Sequence, residues 1–384
     1  MASNGQRRVT IRDVAAHAGV SFKSVSNVVN DRPFVSNDLR QKVQRAIEDL
    51  GYRPHSVARS LATRRTNILG IVLRASPSDA HDDPFLSRFL LGVCAAAGDA
   101  GFGILVQLLL SEEPIRRYAD LFDHRQVDGL ILFNPRIDDA PGAGSLSEAD
   151  LPAVRIGRLA PGAAGLAVDG DDETGACAAV SHLIDLGHTR IGMVANASPV
   201  YTVTQTRVRG YYRALETHGL PVDPALVTEG HFTRHSGYEG ALRLLALPQP
   251  PTALFVSSDR MALGALSALR AQGLRIPEDI ALVGYDDLFV AEYTNPLLTT
   301  VRAPIDAIST RAAQMLIDAI NGLPLEPRQV ILPTELVIRE SCGALLGRRS
   351  LPPVSLSASG SHLDHPGEIN GRQARVSPLQ REGR

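Results

Sequence analysis

The sequence predicts an all-α helix-turn-helix head joined to a larger α/β body of two lobes. Three observations lead there. Residues 1–66 hold twelve Lys and Arg against five Asp and Glu, a surplus of seven positive charges; the whole chain stands at −2, so the other 318 residues carry −9. Within that basic stretch the apolar residues recur at helical spacing in three short runs. From Ile68 the pattern changes to short apolar runs alternating with helical stretches, which parallel sheets covered by helices produce. At 384 residues, with 44% hydrophobic and 21% charged, the chain is long enough for two or three soluble globular domains.

In the head, Ile11, Val14, Ala15 and Ala18 share one helical face, Thr10 is placed to cap it with Asp13 three residues on, and Gly19 ends it. The tight turn Ala18-Gly19-Val20-Ser21 leads to a second helix, capped by Ser21, whose Val25, Val28 and Val29 face inward. A third helix starts at Ser36 or Asn37, carries Leu39, Val43, Ile47 and Leu50 on one stripe and stops at Gly51. Phe22, Lys23, Ser24 and Asn27 point away from the valines of the second helix. Such a helix fits the major groove, where Lys reads guanine and Asn reads adenine. An ordinary amphipathic helix pair fits the same pattern. The candidate DNA-contacting residues of the head are Thr10, Ser21, Phe22, Lys23, Ser24, Ser26 and Asn27.

The segment HSVARSLATRRTN after Pro54 is basic and too short to fold alone. It reads as a hinge that turns helical on DNA, with Ala58, Arg59 and Leu61 at the minor groove and Leu61 as the wedge that unstacks a base step. Residues 9–73, VTIRDVAAHAGVSFKSVSNVVNDRPFVSNDLRQKVQRAIEDLGYRPHSVARSLATRRTNILGIVL, resemble the head and hinge of the LacI/GalR repressor family throughout and in register. The resemblance implies that Phe22, Lys23 and Asn27 read bases and that Ala58 and Leu61 enter the minor groove. Asn27 stands where many relatives have Arg, so a different operator half-site is expected.

In the body the expected strands are Leu69–Leu73, Gly103–Gln107, Gly129–Phe133, Ala153–Ile156, Ile191–Val194, Ala253–Val256 and Ile280–Val283, with helices over 86–100, 113–124, 172–187, 206–219, 235–247, 259–272 and 304–322. That exceeds one comfortable sheet, hence two lobes with a ligand between them at the carboxyl ends of the strands. VDGLILF, HLIDLGHTRIGMV, RVRGYYRAL, TALFVSSDRMALGALSALRAQGLRIPEDIALVGYDD and NPLLTTVRAP resemble the same family's periplasmic-binding-protein-like effector domain. The expected division is 9–53 head, 54–66 hinge, 67–343 effector and dimerisation domain, and a disordered tail over 344–384. The tail lacks the leucine heptads that make tetramers of some relatives, so a homodimer is expected.

Arg207, heading Arg207-Val208-Arg209-Gly210, matches the family's effector-contacting arginine; its fork suits two neighbouring hydroxyls or a carboxylate. Asp286, in Gly284-Tyr285-Asp286-Asp287, lies beyond a strand end and can accept from sugar hydroxyls, although such a pair equally serves as a cap or turn. Phe232 falls at a pocket-lining aromatic position, or is a core phenylalanine. Ser258 and Asp172 each replace an Asn common in the family, and Phe85, after Asp83-Pro84, is a further cleft candidate. The resemblance implies a regulator of carbohydrate-utilisation genes that binds a palindromic DNA operator and is released by a small sugar or sugar derivative.

Other classes fare less well. No P-loop, H-E-x-x-H or G-x-S-x-G pattern occurs, so no enzyme and no cofactor is expected. His231 and His235 are four apart but have no third ligand in sight, so no metal is expected. Cys94, Cys177 and Cys342 are odd in number and widely spaced, which suits a reducing cytoplasm. A solute-binding protein shares the body pattern but has no use for the basic head, and the start MASNGQRRVT is no secretory signal. No membrane span is expected, the strongest apolar run, Gly103 to Leu110, being too short. An activator and a repressor look alike at this level.

Overall fold

A computed structural model describes residues 9–29, 34–52, 65–74, 82–109, 126–136, 152–159 and 164–345. The hinge candidates Ala58, Arg59 and Leu61, the helix expected over 113–124 and the tail beyond residue 345 lie outside the described residues.

The head is a three-helix unit whose ends are set by short polar side chains. Thr10 and Asp13 form a reciprocal capping box at the start of α1 (Ile11–Ala18), and Gly19, at φ 59°, takes the left-handed position that ends it. Ser21 Oγ accepts the Ser24 N–H at 3.0 Å and so opens α2 (Phe22–Val29). Ser36 caps α3 (Asn37–Leu50), which Gly51 terminates at φ 58°. Val14, Ala18, Val25, Val28, Val43 and Ala46 close a small core between the three helices.

The body holds two six-stranded sheets. The first contains β1 (Ile68–Arg74), β2 (Gly103–Leu109), β3 (Gly129–Phe133), β4 (Ala153–Ile156), β5 (Leu166–Gly170) and β11 (Gln329–Leu332), in the order β11-β5-β4-β3-β1-β2 and wholly parallel. Helices α4 (Pro84–Asp99) and α9 (Ile305–Ile320) pack together beside it. The second contains β6 (Ile191–Ala195), β7 (Val227–Glu229), β8 (Ala253–Val256), β9 (Ala281–Asp286), β10 (Thr299–Arg302) and β12 (Glu335–Val337). Its order is β12-β10-β9-β8-β6-β7, parallel except for the antiparallel β12. Helices α5 (Asp172–Asp185), α6 (Thr202–Thr217), α7 (Arg234–Leu245) and α8 (Asp259–Ala271) belong to this lobe. Leu69, Ile71, Phe89, Ile131, Leu183, Met193, Tyr211 and Leu316 are among the side chains of the main core.

Among the described residues the chain passes between the lobes three times, at 170–172, 302–305 and 332–335. The short strands β5, β7, β10, β11 and β12 were not expected from the apolar pattern. They are short, several mix polar with apolar residues (LAVDG, TTVR, ELV), and four of them, β5, β10, β11 and β12, adjoin the crossings. Helix α6 begins at Thr202 and not at 206, because its first turn, Thr202-Val203-Thr204-Gln205, is mostly polar and buries Thr204, which no hydrophobic count detects.

The start of the body is pinned tightly. Asp128 accepts the N–H groups of Thr66 and Asn67, each at 2.7 Å, and Arg65 donates to Asn321 Oδ1 and the Ile320 carbonyl, both at 2.8 Å, at the end of α9. Helices α7 and α8 lie backbone to backbone: a methyl group on Gly264 would overlap the Arg234 carbonyl, and one on Gly237 would overlap that of Met261. This approach sets Arg234 and Arg260 side by side. Gly264→Ala is expected to destabilise the body by about 1–3 kcal/mol through overpacking, read as a lower urea midpoint at unchanged m-value.

Candidate functional site

The polar residues of the body gather where its strands end. Arg207, on the second turn of α6, is 5% exposed. Its Nη1 donates to the Ser257 carbonyl at 2.6 Å, and its Nη2 to Asp172 Oδ1 and Asp286 Oδ1 at 3.4 and 3.3 Å. Nε lies 3.4 Å from the other Asp172 oxygen, and the guanidinium carbon sits 3.7 Å from the centre of the Tyr285 ring. Tyr285 Oη donates to Asp172 Oδ1 at 2.8 Å. Each group is delivered by a strand end or helix start: Asp172 opens α5 after β5, Ser257 follows β8, and Asp286 closes β9.

Burial works against each charge and the neighbours decide the result. It opposes the Arg207 guanidinium, but Asp172 and Asp286 outweigh it and hold the proton more firmly than usual. Burial pushes Asp286 up to about 7, with Arg207 opposing and Asp172 and Asp83 adding to the rise. Asp169, on β5, is raised well above the carboxylate range by burial and then by Asp172. Asp286 also holds φ at 109° and Phe232 at 57°, conformations that L-residues rarely adopt and that cluster at functional sites.

A second group spans the lobes. Asp83, the N-cap of α4, accepts the Phe85 N–H at 2.9 Å and lies 3.7 Å from Arg260 on α8. Arg260 also bonds Asp82 and donates to the Phe232 carbonyl at 3.1 Å; Arg234 reaches the other Asp82 oxygen at 2.7 Å. The Phe232 ring meets Tyr201 edge to face at 5.6 Å, and Phe85 packs on Phe133 at 6.0 Å.

The structure therefore brings Arg207 and Asp286 into contact and places Ser258 next to the carbonyl that Arg207 grips. Phe232 and Phe85 join the same neighbourhood through Arg260 and Asp83. Ser258 is the N-cap of α8 but makes no side-chain cap bond. The sequence reading overlooked Tyr285, Asp169, Asp82 and Arg260, and noted Asp172 only as a replacement. The roles of Tyr285, Asp82 and Arg260 come from partners 28 to 178 positions away, for which no local pattern exists. His235 pairs with Glu239 on its own helix at 3.1 Å.

On the head, α2 turns Phe22, 53% exposed, and Lys23 to solvent, while Ser24, Ser26 and Asn27 are half-buried along the same helix. Ser24 Oγ lies 2.9 Å from Ser21 Oγ, and Thr10 Oγ1 donates to Asp13 at 2.7 Å, so these hydroxyls serve as caps. No helix among the described residues is long and apolar enough to cross a membrane.

A helix-turn-helix unit ahead of a two-lobed α/β body with polar groups converging between the lobes defines a ligand-responsive transcriptional regulator. Residues 10–55 match the model for bacterial regulatory proteins of the lacI family, and residues 180–342 match that for the periplasmic binding protein-like domain. The chain is 38% identical to the HTH-type transcriptional regulator CelR of Thermobifida fusca over 338 residues, 88% of this chain and 99% of that one. A solved CelR–cellobiose complex superposes with a TM-score of 0.67 at 36% identity, covering 87% of this chain and 100% of that one. The Lac repressor dimer bound to operator and the anti-inducer ONPF gives 0.77 at 27% identity, covering 88% and 99%. The chain belongs to the LacI family of transcriptional regulators.

Two outcomes follow from the buried cluster. Arg207→Ala leaves Asp172 and Asp286 facing each other unpaired, and is expected to cost about 3–5 kcal/mol at pH 8. Protonation relieves the repulsion, so the loss should be smaller at pH 5, as parallel urea titrations will show. In the native protein Asp286 is raised above its unfolded value, so the folded state binds the extra proton. Its contribution to stability is complete below the ordinary carboxylate range and lost as pH rises through about 7. Asp286→Asn should flatten the stability profile between pH 5 and 8.

Proposed function

We propose that this regulator represses carbohydrate-utilisation genes in the cytoplasm, binding a palindromic operator as a homodimer and releasing it when a small sugar or sugar derivative fills the cleft. Residues 9–53 are the DNA-binding domain, 54–66 the hinge, 67–343 the effector and dimerisation domain, and 344–384 a tail. No catalytic step is involved. The observation that carries the reading is the buried set of donors and acceptors around Arg207 at the carboxyl ends of the strands, where α/β folds bind ligands. Phe85, Phe232, Ser258, Asp286 and Arg207 line the site, with the rings on the C–H faces of the sugar. The relative CelR, solved with cellobiose, supports a sugar as effector.

On DNA, Phe22, Lys23 and Asn27 of α2 read base edges in the major groove, and Thr10, Ser21, Ser24 and Ser26 hold the helix ends in register with the backbone. The exposure of Phe22, which the head core leaves unused, supports this. Ala58, Arg59 and Leu61 occupy the minor groove, where Leu61 opens a base step. Effector closure changes the spacing of the first lobes in the dimer and disfavours the paired hinges, lowering DNA affinity by about 1–3 kcal/mol of coupling.

Selection of bound duplexes from a random pool with the full-length protein tests the reading. A palindrome with a central pyrimidine–purine step is expected, and a pool that yields no enriched sequence, with or without sugars, would remove it. Lys23→Ala should cost about 1–3 kcal/mol and relax preference at one base position per half-site.

A further inference from the structure

Resting on the reading of the cleft as a sugar site, we infer that it selects an uncharged or cationic ligand and excludes sugar acids and sugar phosphates, with Asp172 as the specificity-determining residue. An arginine with free donors grips carboxylates and phosphates bidentately. Arg207 already faces two carboxylates. Nη1 is on the Ser257 carbonyl, Nη2 lies between Asp172 and Asp286, Nε lies 3.4 Å from the second Asp172 oxygen but makes no hydrogen bond among the described residues, and Tyr285 covers one face. An incoming carboxylate must either displace Asp172 or Asp286, leaving a buried carboxylate unpaired, or sit beside them as a third anion.

Three neighbouring arginines are already paired with carboxylates. Arg158 is bound to Asp171 at 2.6 Å, and Arg260 and Arg234 are shared between Asp82 and Asp83. With Arg207, four arginines meet five carboxylates. Asp169, 7% exposed, adds a carboxyl group beside Asp172, and its Oδ2 has no hydrogen-bond partner among the described residues. Sugar hydroxyls suit this set, because each both donates to a carboxylate and accepts from a guanidinium. Replacing Asp172 by the Asn expected from the family resemblance keeps an acceptor for Tyr285 and leaves Arg207 with a single carboxylate.

The charge count also varies with pH. The groups facing Asp286 are Arg207 from α6, Asp172 from α5, Asp83 ahead of α4, Asp259 from α8 and the adjoining Tyr285. Between pH 6 and 8 Asp286 gives up its proton, the cluster becomes more negative, and rejection of anions strengthens.

Isothermal titration of the full-length wild type and Asp172→Asn decides the matter, using glucose, galactose, ribose, xylose and cellobiose. Each sugar that binds is then compared with its uronic acid, its phosphate and its amino counterpart. For the wild type at pH 8 the acidic forms should bind about tenfold weaker or worse than the neutral sugar, with a smaller gap at pH 6. In Asp172→Asn the gap should shrink while thermal unfolding confirms a folded domain. An acid or phosphate bound by the wild type as tightly as its neutral counterpart would overturn the inference with the sugar reading intact. A blank for every sugar, neutral or charged, removes the sugar reading and the inference together. If the variant does not fold, the wild-type ratio and its pH trend still decide.

Discussion

One guanidinium held between two carboxylates, away from water, is the constraint on which the body depends. Burying three charges costs several kcal/mol per ion before any attraction is counted, and a well-packed apolar set is often no less stable. The fold nevertheless devotes three separate elements to the arrangement. Helix α5 starts with Asp172, where the helix dipole favours an anion. Strand β9 ends in Asp286 with a left-handed backbone that favours glycine. Helix α6 sets Arg207 among buried threonines. An arrangement that strains the backbone and desolvates charge is explained by recognition, since stability alone has cheaper solutions.

The cluster's position makes it consequential. Asp172 follows the first crossing between the lobes, and Asp82 and Asp83 of the first lobe meet Arg260 and Arg234 of the second. The second crossing leads at once into α9, sixteen residues and therefore about 24 Å long. Its far end receives Arg65, and Asp128 fixes the next two residues. One rigid helix thus runs from the seam between the lobes to the point where the linker from the head enters the body. A change in how the lobes meet has a short and stiff route to that linker.

The head was legible in the sequence because its signals are local. Thr10 with Asp13, Gly19, Ser21, Ser36 and Gly51 mark helix ends within a few residues of themselves, and each holds the position expected of it. The long apolar strands of the body were legible for the same reason: β3, β4 and β8 have the expected bounds. What escaped depends on distant partners. Strand β11 returns to pair with β5 more than 150 residues earlier, and its sequence, QVIL, announces nothing of that. Arg207 was accessible through family resemblance and Asp286 through its place beyond a strand end, whereas nothing local marks Tyr285 and Arg260, which the packing sets beside a carboxylate.

The near-neutral total charge conceals opposite electrostatic tasks at the two ends of the molecule. A surplus of seven positive charges in the first 66 residues attracts a polyanion over distances set by the Debye length, and salt weakens that attraction. The body is acidic overall, and its buried carboxylates are screened far less, because water and ions do not reach them. A cation-rich pocket in the body would compete with the head for phosphate groups along the same DNA. Pairing Arg207, Arg158, Arg234 and Arg260 with carboxylates reduces that competition. The price of this separation is the strained, desolvated cluster at Arg207, on which the inferred selectivity by charge rests.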